Sequence, residues 1–157
     1  MLPRSLYMRY YVLTAAIIIA DQITKLLVRM NMNVGESIEI IGKFFRLTYI
    51  RNSGAAFSMF SGERVLLIGL PIVIVAGAIW YFYHHRDEHW TFYTSWAMII
   101  AGGIGNLIDR IAFGWVTDML NFSIFPPVFN VADIGVTLGC GLFIIHTLIG
   151  DKLKKHE

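Results

Sequence analysis

The chain contains four apolar stretches, each close to the length that crosses a lipid bilayer. They run over residues 10–30, 65–83, 90–108 and 134–150. A helix needs about 20 mostly apolar residues to span about 30 Å of hydrocarbon, and the last stretch lies at the short end of that range. Backbone polar groups have to be satisfied inside the bilayer, so such stretches fold as helices. The sequence therefore predicts an all-α integral membrane protein with four transmembrane helices.

Composition agrees with this class. Of the 157 residues, 56% are hydrophobic and 15% are charged, and the mean hydropathy is +0.60. The net charge of +2 comes without a basic run that has aromatic residues interleaved, so we expect no nucleic-acid partner. The single cysteine, Cys140, excludes a disulfide or a cysteine-based metal site within the chain. We expect one membrane-embedded domain over residues 1–157, with no cofactor.

The segment between the first two spans, about residues 35–60, differs in character. Ser37–Ile40 alternates polar and apolar residues, and Phe44–Ile50 is rich in β-branched and aromatic types. Both patterns are typical of short strands, here separated by a turn at Gly42 and Lys43. Residues 51–54 read as a further turn leading into residues 55–59. We expect a small sheet with one apolar face, lying on the membrane surface.

A second surface segment, about residues 111–129, follows the third span. It contains Pro126 and Pro127, which rule out one continuous helix. We expect irregular structure here.

The basic residues give a weak indication of orientation. With four spans both termini lie on one side, and cytoplasmic loops carry an excess of Lys and Arg. Six basic residues accompany the termini and four lie on the other side, with Arg29 and Arg110 near the boundary. The first group is Arg4, Arg9, Arg86, Lys152, Lys154 and Lys155, and the second is Lys43, Arg46, Arg51 and Arg64. We therefore expect both termini in the cytoplasm.

Four acids, Asp21, Asp109, Asp118 and Asp133, lie inside or at the edge of the apolar stretches. A charged residue at the centre of a membrane helix is unfavourable by roughly 2.5–3.5 kcal/mol, so acids at membrane depth indicate a functional site. The surrounding residues form five short motifs. In chain order these are Asp21-Gln22-Ile23-Thr24-Lys25, Arg51-Asn52-Ser53-Gly54-Ala55-Ala56-Phe57, Gly102-Gly103-Ile104-Gly105-Asn106-Leu107-Ile108-Asp109-Arg110, Val116-Thr117-Asp118-Met119 and Phe129-Asn130-Val131-Ala132-Asp133.

In this order and spacing the motifs resemble those of the bacterial lipoprotein signal peptidases, also called signal peptidase II. The resemblance covers essentially the whole chain. It implies an aspartic endopeptidase of the inner membrane that removes the signal peptide from prolipoproteins, cutting before a diacylglyceryl-modified cysteine. Its partners would be these signal peptides and membrane lipid. It would act as a monomer, with the site and the sheet towards the outer face.

The resemblance also assigns residues. It implies that Asp118 and Asp133 are the catalytic pair, and that a second group holds the substrate backbone and shapes the site. That group is Asn52, Gly54, Asn106, Arg110 and Asn130. Asp21 and Lys25 match a polar pair that supports the fold nearby. Thr117 and Met119 depart from the family's usual Val or Ile before the first aspartate and Phe after it.

The chemistry of the residues agrees with a catalytic pair. Amide hydrolysis needs a base to activate water and an acid to protonate the leaving group. Two nearby carboxylates cannot both ionise readily, so together they supply both roles. No histidine lies near the acids in the sequence, which disfavours Ser-His, Cys-His and zinc sites. Asp133 opens a helix, where the dipole favours its charge, so we expect Asp133 to be the base and Asp118 the proton carrier.

Structural interpretations remain open for several of these residues. Asn130 followed by Asp133 is also typical of a helix N-cap with an acid at the third position. Asp109, next to Arg110, fits an ion pair or a hydrogen-bond organiser at the membrane edge. Asp21 and Lys25, four positions apart, fit a helical ion pair. Three glycines of the third span would let helices approach closely, namely Gly102, Gly103 and Gly105.

Two other functions are compatible with intramembrane acids. One is a proton- or ion-coupled carrier, although the acids lie mostly at span ends and the chain has no visible inverted repeat. The other is a non-catalytic assembly subunit whose acids pair with Arg110 and Lys25. That function leaves Asp118 without a basic partner in its own segment, so the peptidase is preferred.

Overall fold

A computed structural model describes residues 4–54, 64–85 and 89–153 of the chain. Within these residues there are four helices, all long and apolar enough to cross a membrane. They are α1 (Arg4–Asn31), α2 (Arg64–His84), α3 (Trp90–Phe113) and α4 (Val131–Leu153). The prediction of four membrane-spanning helices is confirmed. The third and fourth helices extend beyond the apolar stretches, α3 past Asp109 at its end and α4 ahead of Asp133 at its start.

Local signals define both ends of α3. His89 stands at the N-cap in an extended conformation, and its side chain accepts a hydrogen bond from the Thr91 amide. At the other end Gly114 adopts a left-handed conformation with φ of 83°, and its amide donates to the Arg110 carbonyl. Glycine reaches this conformation without steric penalty, so the helix stops there and the chain turns into the next strand.

Four strands form one antiparallel sheet at the end of the helices where α1 and α3 finish. They are β1 (Ser37–Ile41), β2 (Phe45–Asn52), β3 (Val116–Phe122) and β4 (Phe125–Phe129), in the order β1-β2-β3-β4. The prediction of a small sheet between the first two spans is confirmed. Residues 55–59 lie outside the described residues.

The prediction of irregular structure between α3 and α4 is wrong, because this segment supplies the other half of the sheet. Pro126 and Pro127 lie in β4, which is an edge strand. Proline cannot donate to a ladder, but an edge strand leaves one side of its backbone unpaired and tolerates it. Asp118 therefore lies in a regular strand, where its side-chain direction is fixed.

A register shift in β2 places Asn52 close to Asp118. Leu47 faces Leu120 and Ile50 faces Asp118, so β2 has one residue more than β3 between these pairs. Such a bulge bends and twists the strand locally. Beyond the bulge Asn52 faces Val116, which makes Asn52 a diagonal neighbour of Asp118 on the same face of the sheet.

Helix α3 is central and contacts the other three helices. Its glycines permit these contacts, as predicted. A Cβ atom added at Gly103 would lie 2.7 Å from Val75 Cγ2 of α2, and one at Gly105 would lie 2.7 Å from Asp21 Oδ2 of α1. The main apolar core lies at the opposite end from the sheet, around Tyr93 and Phe92. The buried acids and Lys25 lie towards the end of the helices that carries the sheet.

Candidate active site

The side chain of Asp118 points into a cavity because successive side chains of β3 alternate between the two faces of the sheet. Val116, Asp118 and Phe122 line a common cavity. The intervening residues point the other way: Met119 packs with Val28 of α1, and Thr117 receives a hydrogen bond from Arg29. The period of two in the strand therefore presents one carboxylate to the cavity from a wall whose other face is packed on α1.

Asp133 is held at the first turn of α4. Its backbone amide donates to Asn130 Oδ1 at 3.0 Å, and its Oδ2 accepts from the Asn130 backbone amide at 3.2 Å. This reciprocal pair is a capping box with Asn130 at the N-cap, so the interpretation as a helix cap is also correct. The cap fixes the carboxylate of Asp133 beside the cavity.

Asparagine amides join the two acids. Asn52 and Asn130 donate from Nδ2 to the two oxygens of Asp118, at 3.0 and 2.6 Å. Asn106 donates from Nδ2 to Asp133 Oδ1 at 2.7 Å. Asn130 also donates to Asn106 Oδ1 at 3.1 Å, which links the two halves of the network. Each acid thus accepts strong hydrogen bonds from donors carried by other elements.

The two acids share the wall of a cavity of about 660 Å³. Its polar lining includes Asn52, Asn106 and Arg110, and Arg110 donates to the Gly54 carbonyl at 3.2 Å. The rest of the wall is mainly apolar and comes from β3, β4, the turn between them and α4, through Val116, Phe122, Ile124, Phe125, Pro127, Val128, Phe129, Ile134, Val136 and Leu138. Three of the five residues predicted to hold substrate line this cavity, namely Asn52, Asn106 and Arg110; of the other two, Asn130 contacts Asp118 and Gly54 contacts Arg110. A mainly apolar pocket with a few convergent polar groups is typical of a binding site.

Burial changes the acidity of Asp118. Its removal from water raises its pKa from 3.8 to about 6, and the hydrogen bond from Asn52 acts in the opposite direction. The nearby charge of Asp133 also raises the pKa, the hydrogen bond from Asn130 and the charge of Lys25 lower it, and about 6 is the net result. A carboxyl group with a pKa near 6 can hold a proton near neutral pH and release it during a reaction.

A buried cluster of charged side chains lies next to the site, between α1 and α3. Lys25 lies 2.9 Å from Asp21 Oδ2 and 3.6 Å from Asp109 Oδ2, and all three side chains are fully buried. Asp21 and Lys25 thus form the ion pair that their spacing indicates. Asp109 pairs with α1 and not with its neighbour Arg110: it accepts from Arg29 at 3.4 Å and from the Thr117 amide at 2.9 Å.

Arg29 and Thr117 are supporting residues that the sequence analysis missed. Arg29 donates to Thr117 Oγ1 at 3.1 Å and so ties α1 to the back of the strand that carries Asp118. A signal for Arg29 was present, because Asp21, Lys25 and Arg29 recur every four residues on one helix face. Thr117 was noted only as a departure from the family pattern, and its hydroxyl accounts for the polar contact.

Other reactive side chains lie elsewhere. Among the described residues that line the cavity there is no serine, cysteine or histidine. Cys140 is exposed on α4, and His146 bonds to Thr91 at 2.9 Å near the opposite end of the helices. The described residues contain no group of three or more His, Cys, Asp or Glu side chains that could hold a metal ion.

Comparison with known proteins identifies the family. Residues 13–149 match the family model described as signal peptidase (SPase) II. A lipoprotein signal peptidase of Halothermothrix orenii is 43% identical over 136 residues, which cover 87% of this chain and 92% of the relative. Another, of Halalkalibacterium halodurans, is 37% identical over 96% of this chain and 98% of its own length. The chain belongs to the signal peptidase II family.

A solved bacterial membrane enzyme has the same fold as this member of the signal peptidase II family. Determined by the in meso method at 2.3 Å resolution, it superposes with a TM-score of 0.86 and 31% identity. The match covers 95% of this chain and 93% of that one. The family resemblance predicted from the motifs is confirmed, and the carrier alternative is not favoured.

Proposed function

We propose that this signal peptidase II acts as an aspartic endopeptidase with Asp118 and Asp133 as its catalytic pair. One observation carries the proposal: carboxylates from a strand and from a helix start line the same cavity and are joined through asparagine amides. Hydrolysis of an amide needs an acid and a base together, and two coupled carboxyl groups with one shared proton provide both.

As a lipoprotein signal peptidase, the protein removes signal peptides from prolipoproteins. We propose that it cuts before a cysteine that carries a diacylglyceryl group. The polar part of the cavity lining suits the peptide bond, since Asn52, Asn106 and Arg110 offer donors. The apolar walls from β4 and α4 suit the hydrocarbon part of the substrate, because burying apolar surface is favourable.

The two acids take different roles in this scheme. Asp133 accepts two hydrogen bonds at a helix N-terminus, where the backbone N–H groups stabilise negative charge. Ionised Asp133 takes a proton from water, and the resulting hydroxide attacks the carbonyl carbon. Asp118 is the proton carrier, and its proton reaches the nitrogen of the leaving group as the C–N bond breaks.

We also propose how the protein is oriented in the bacterial inner membrane. The sheet and the catalytic pair lie at the ends of α1 and α3 and at the starts of α2 and α4. We propose that this end faces outwards, where prolipoprotein signal sequences are cut, with both termini in the cytoplasm. The described residues of the site all belong to one chain, and we propose that the protein acts as a monomer in contact with membrane lipid.

The experiment is cleavage of a diacylglyceryl-modified prolipoprotein by the purified protein in detergent, with the product masses defining the bond that is cut. Serine- and thiol-directed covalent reagents and EDTA are added in parallel reactions. We expect cleavage before the modified cysteine in every reaction. Loss of activity with a covalent reagent, or loss with EDTA and rescue by zinc, would overturn the aspartic mechanism.

A further inference from the structure

Three asparagines of the described site follow one rule: the amide nitrogen binds a catalytic carboxylate and the amide oxygen is anchored by a donor elsewhere. The Asn52 oxygen accepts from the Gly54 backbone amide at 3.0 Å. The Asn130 oxygen accepts from the Asp133 backbone amide at 3.0 Å. These anchors matter because an amide can rotate by half a turn, which would present an acceptor oxygen to a carboxylate instead of a donor.

Asn106 is anchored differently, by a charged side chain. Its Oδ1 accepts from Lys25 Nζ at 3.0 Å and from Asn130 Nδ2 at 3.1 Å, and its Nδ2 donates to Asp133. An ammonium group has donors and no acceptor. If the amide of Asn106 rotated, its N–H groups would face the Lys25 ammonium and its oxygen would face the Asp133 carboxylate, so both contacts would become repulsive.

We propose that Lys25 is a positioning residue for peptide hydrolysis, and that its ammonium group fixes the amide of Asn106 so that only N–H faces Asp133. Lys25 is fully buried and does not line the cavity, so it acts on the reaction through Asn106. This inference rests on the proposed function, because it assumes that Asp133 is catalytic.

The geometry distinguishes this role from that of an ion pair alone. A buried ammonium with three protons needs three acceptors, and Asp21 supplies only one, at 2.9 Å. The Gly105 carbonyl at 3.5 Å and Asp109 at 3.6 Å are weaker partners. The second short contact is therefore the one to Asn106. A neutral pair in place of Asp21 and Lys25 would remove the buried charges, but it would leave the Asn106 oxygen without this donor.

The test uses a double variant in which the buried charge stays balanced, and a single variant that shows the effect of position 21 alone. Removing Lys25 alone would leave Asp21 without its partner, so Lys25→Met is made together with Asp21→Asn, and Asp21→Asn with Lys25 retained is the reference. An asparagine oxygen at position 21 can still accept the hydrogen bond that Asp21 receives from the Ala132 amide. We expect the double variant to lower kcat by about tenfold or more relative to the reference, with KM within about twofold.

A double-mutant cycle then separates positioning from general stabilisation. In an Asn106→Ala background, exchange of Lys25 for Met should produce no further loss of kcat, because the residue through which Lys25 acts is absent. Additive losses, or an unchanged kcat on exchange of Lys25 in the reference, would overturn the positioning role. An unchanged kcat in Asn106→Ala alone would instead contradict the proposed site. The two failures are therefore distinguishable.

If the double variant fails to fold, the contact between Lys25 and Asn106 is tested by a measurement on the unmodified enzyme. With ¹⁵Nζ-labelled lysine and ¹³Cγ-labelled asparagine, solid-state NMR should detect a dipolar contact between a charged lysine ammonium and an asparagine amide carbon. The contact should be missing in Asn106→Ala, which assigns it. A neutral amine for Lys25, or no such contact in the unmodified enzyme, would overturn the inference.

Discussion

Asn130 and Asp133 hold each other through two reciprocal hydrogen bonds, and this pair both starts α4 and orients a carboxylate of the proposed catalytic pair. The Asn130 oxygen is occupied by the helix amide, so its nitrogen faces Asp118, at 2.6 Å. A common helix-capping motif therefore sets the position of Asp133 and also supplies a donor to Asp118. The two interpretations of Asn130, as a helix cap and as a site residue, are compatible.

Substitution of Asn130 should separate its capping role from its proposed role in the site. Asn130→Ala removes the helix cap, so we expect the free energy of unfolding to fall by about 1 kcal/mol. It also removes the donor to Asp118, so we expect kcat/KM to fall by about tenfold or more. Asn130→Ser is the matched variant, because a serine oxygen can cap the helix but does not carry the amide N–H groups. We expect Ser to restore the denaturation midpoint and leave kcat/KM low. Recovery of both by Ser would mean that the amide donor is unimportant.

The pH dependence of stability should report the buried carboxyl of Asp118. Its pKa is about 6 in the folded protein against an ordinary value of 3.8. The stability that its proton contributes is fully present below about pH 4 and is lost as the pH rises through about 6, because the folded state binds that proton more tightly. The change corresponds to up to about 3 kcal/mol.

The measurement is the midpoint of denaturation in detergent as a function of pH, for the unmodified protein and for Asp118→Asn. Stability of the unmodified protein should fall between about pH 4 and pH 6 by more than that of the variant. If the denaturation midpoints of the two proteins change equally with pH between about pH 4 and pH 6, Asp118 is not responsible for the pH dependence of stability.

Close packing of α3 on α4 should be needed for activity. A Cβ atom at Gly102 would lie 2.6 Å from Val136 Cγ2 and 3.0 Å from the Val136 backbone nitrogen, and would also collide with the carbonyl of Ala132. Because Ala132 directly precedes Asp133, moving α4 away displaces a carboxylate of the proposed catalytic pair. We expect Gly102→Ala to destabilise the protein by about 1–3 kcal/mol and to lower kcat.

The control for this substitution is Gly77→Ala on α2, where an added Cβ meets no atom within 4 Å. Alanine is the better helix former, so we expect unchanged kcat and equal or slightly higher stability. If the two variants have equal denaturation midpoints and equal kcat, close packing is not the reason for the glycine at position 102.

The sequence predicted the helices well because each apolar stretch matches the bilayer thickness, a strong and local constraint. It missed the pairing of β3 with β2, since that contact joins residues about seventy positions apart and the prolines in β4 hid the strand pattern. The catalytic candidates were found through motifs and not through periodicity. Arg29 was missed because its partners, Asp109 and Thr117, lie on other elements, and only the fold brings them together.

The catalytic pair is the central claim, and the most direct measurement is the single-turnover rate of cleavage of a diacylglyceryl-modified prolipoprotein by Asp118→Asn and Asp133→Asn. Glu39→Gln, an exposed acid on β1, is the matched control. Substrate affinity and the denaturation midpoint are measured for every variant. The account predicts that both aspartate variants fold and bind substrate but do not cleave it, whereas the control cleaves normally. A near-normal cleavage rate in either aspartate variant would contradict it.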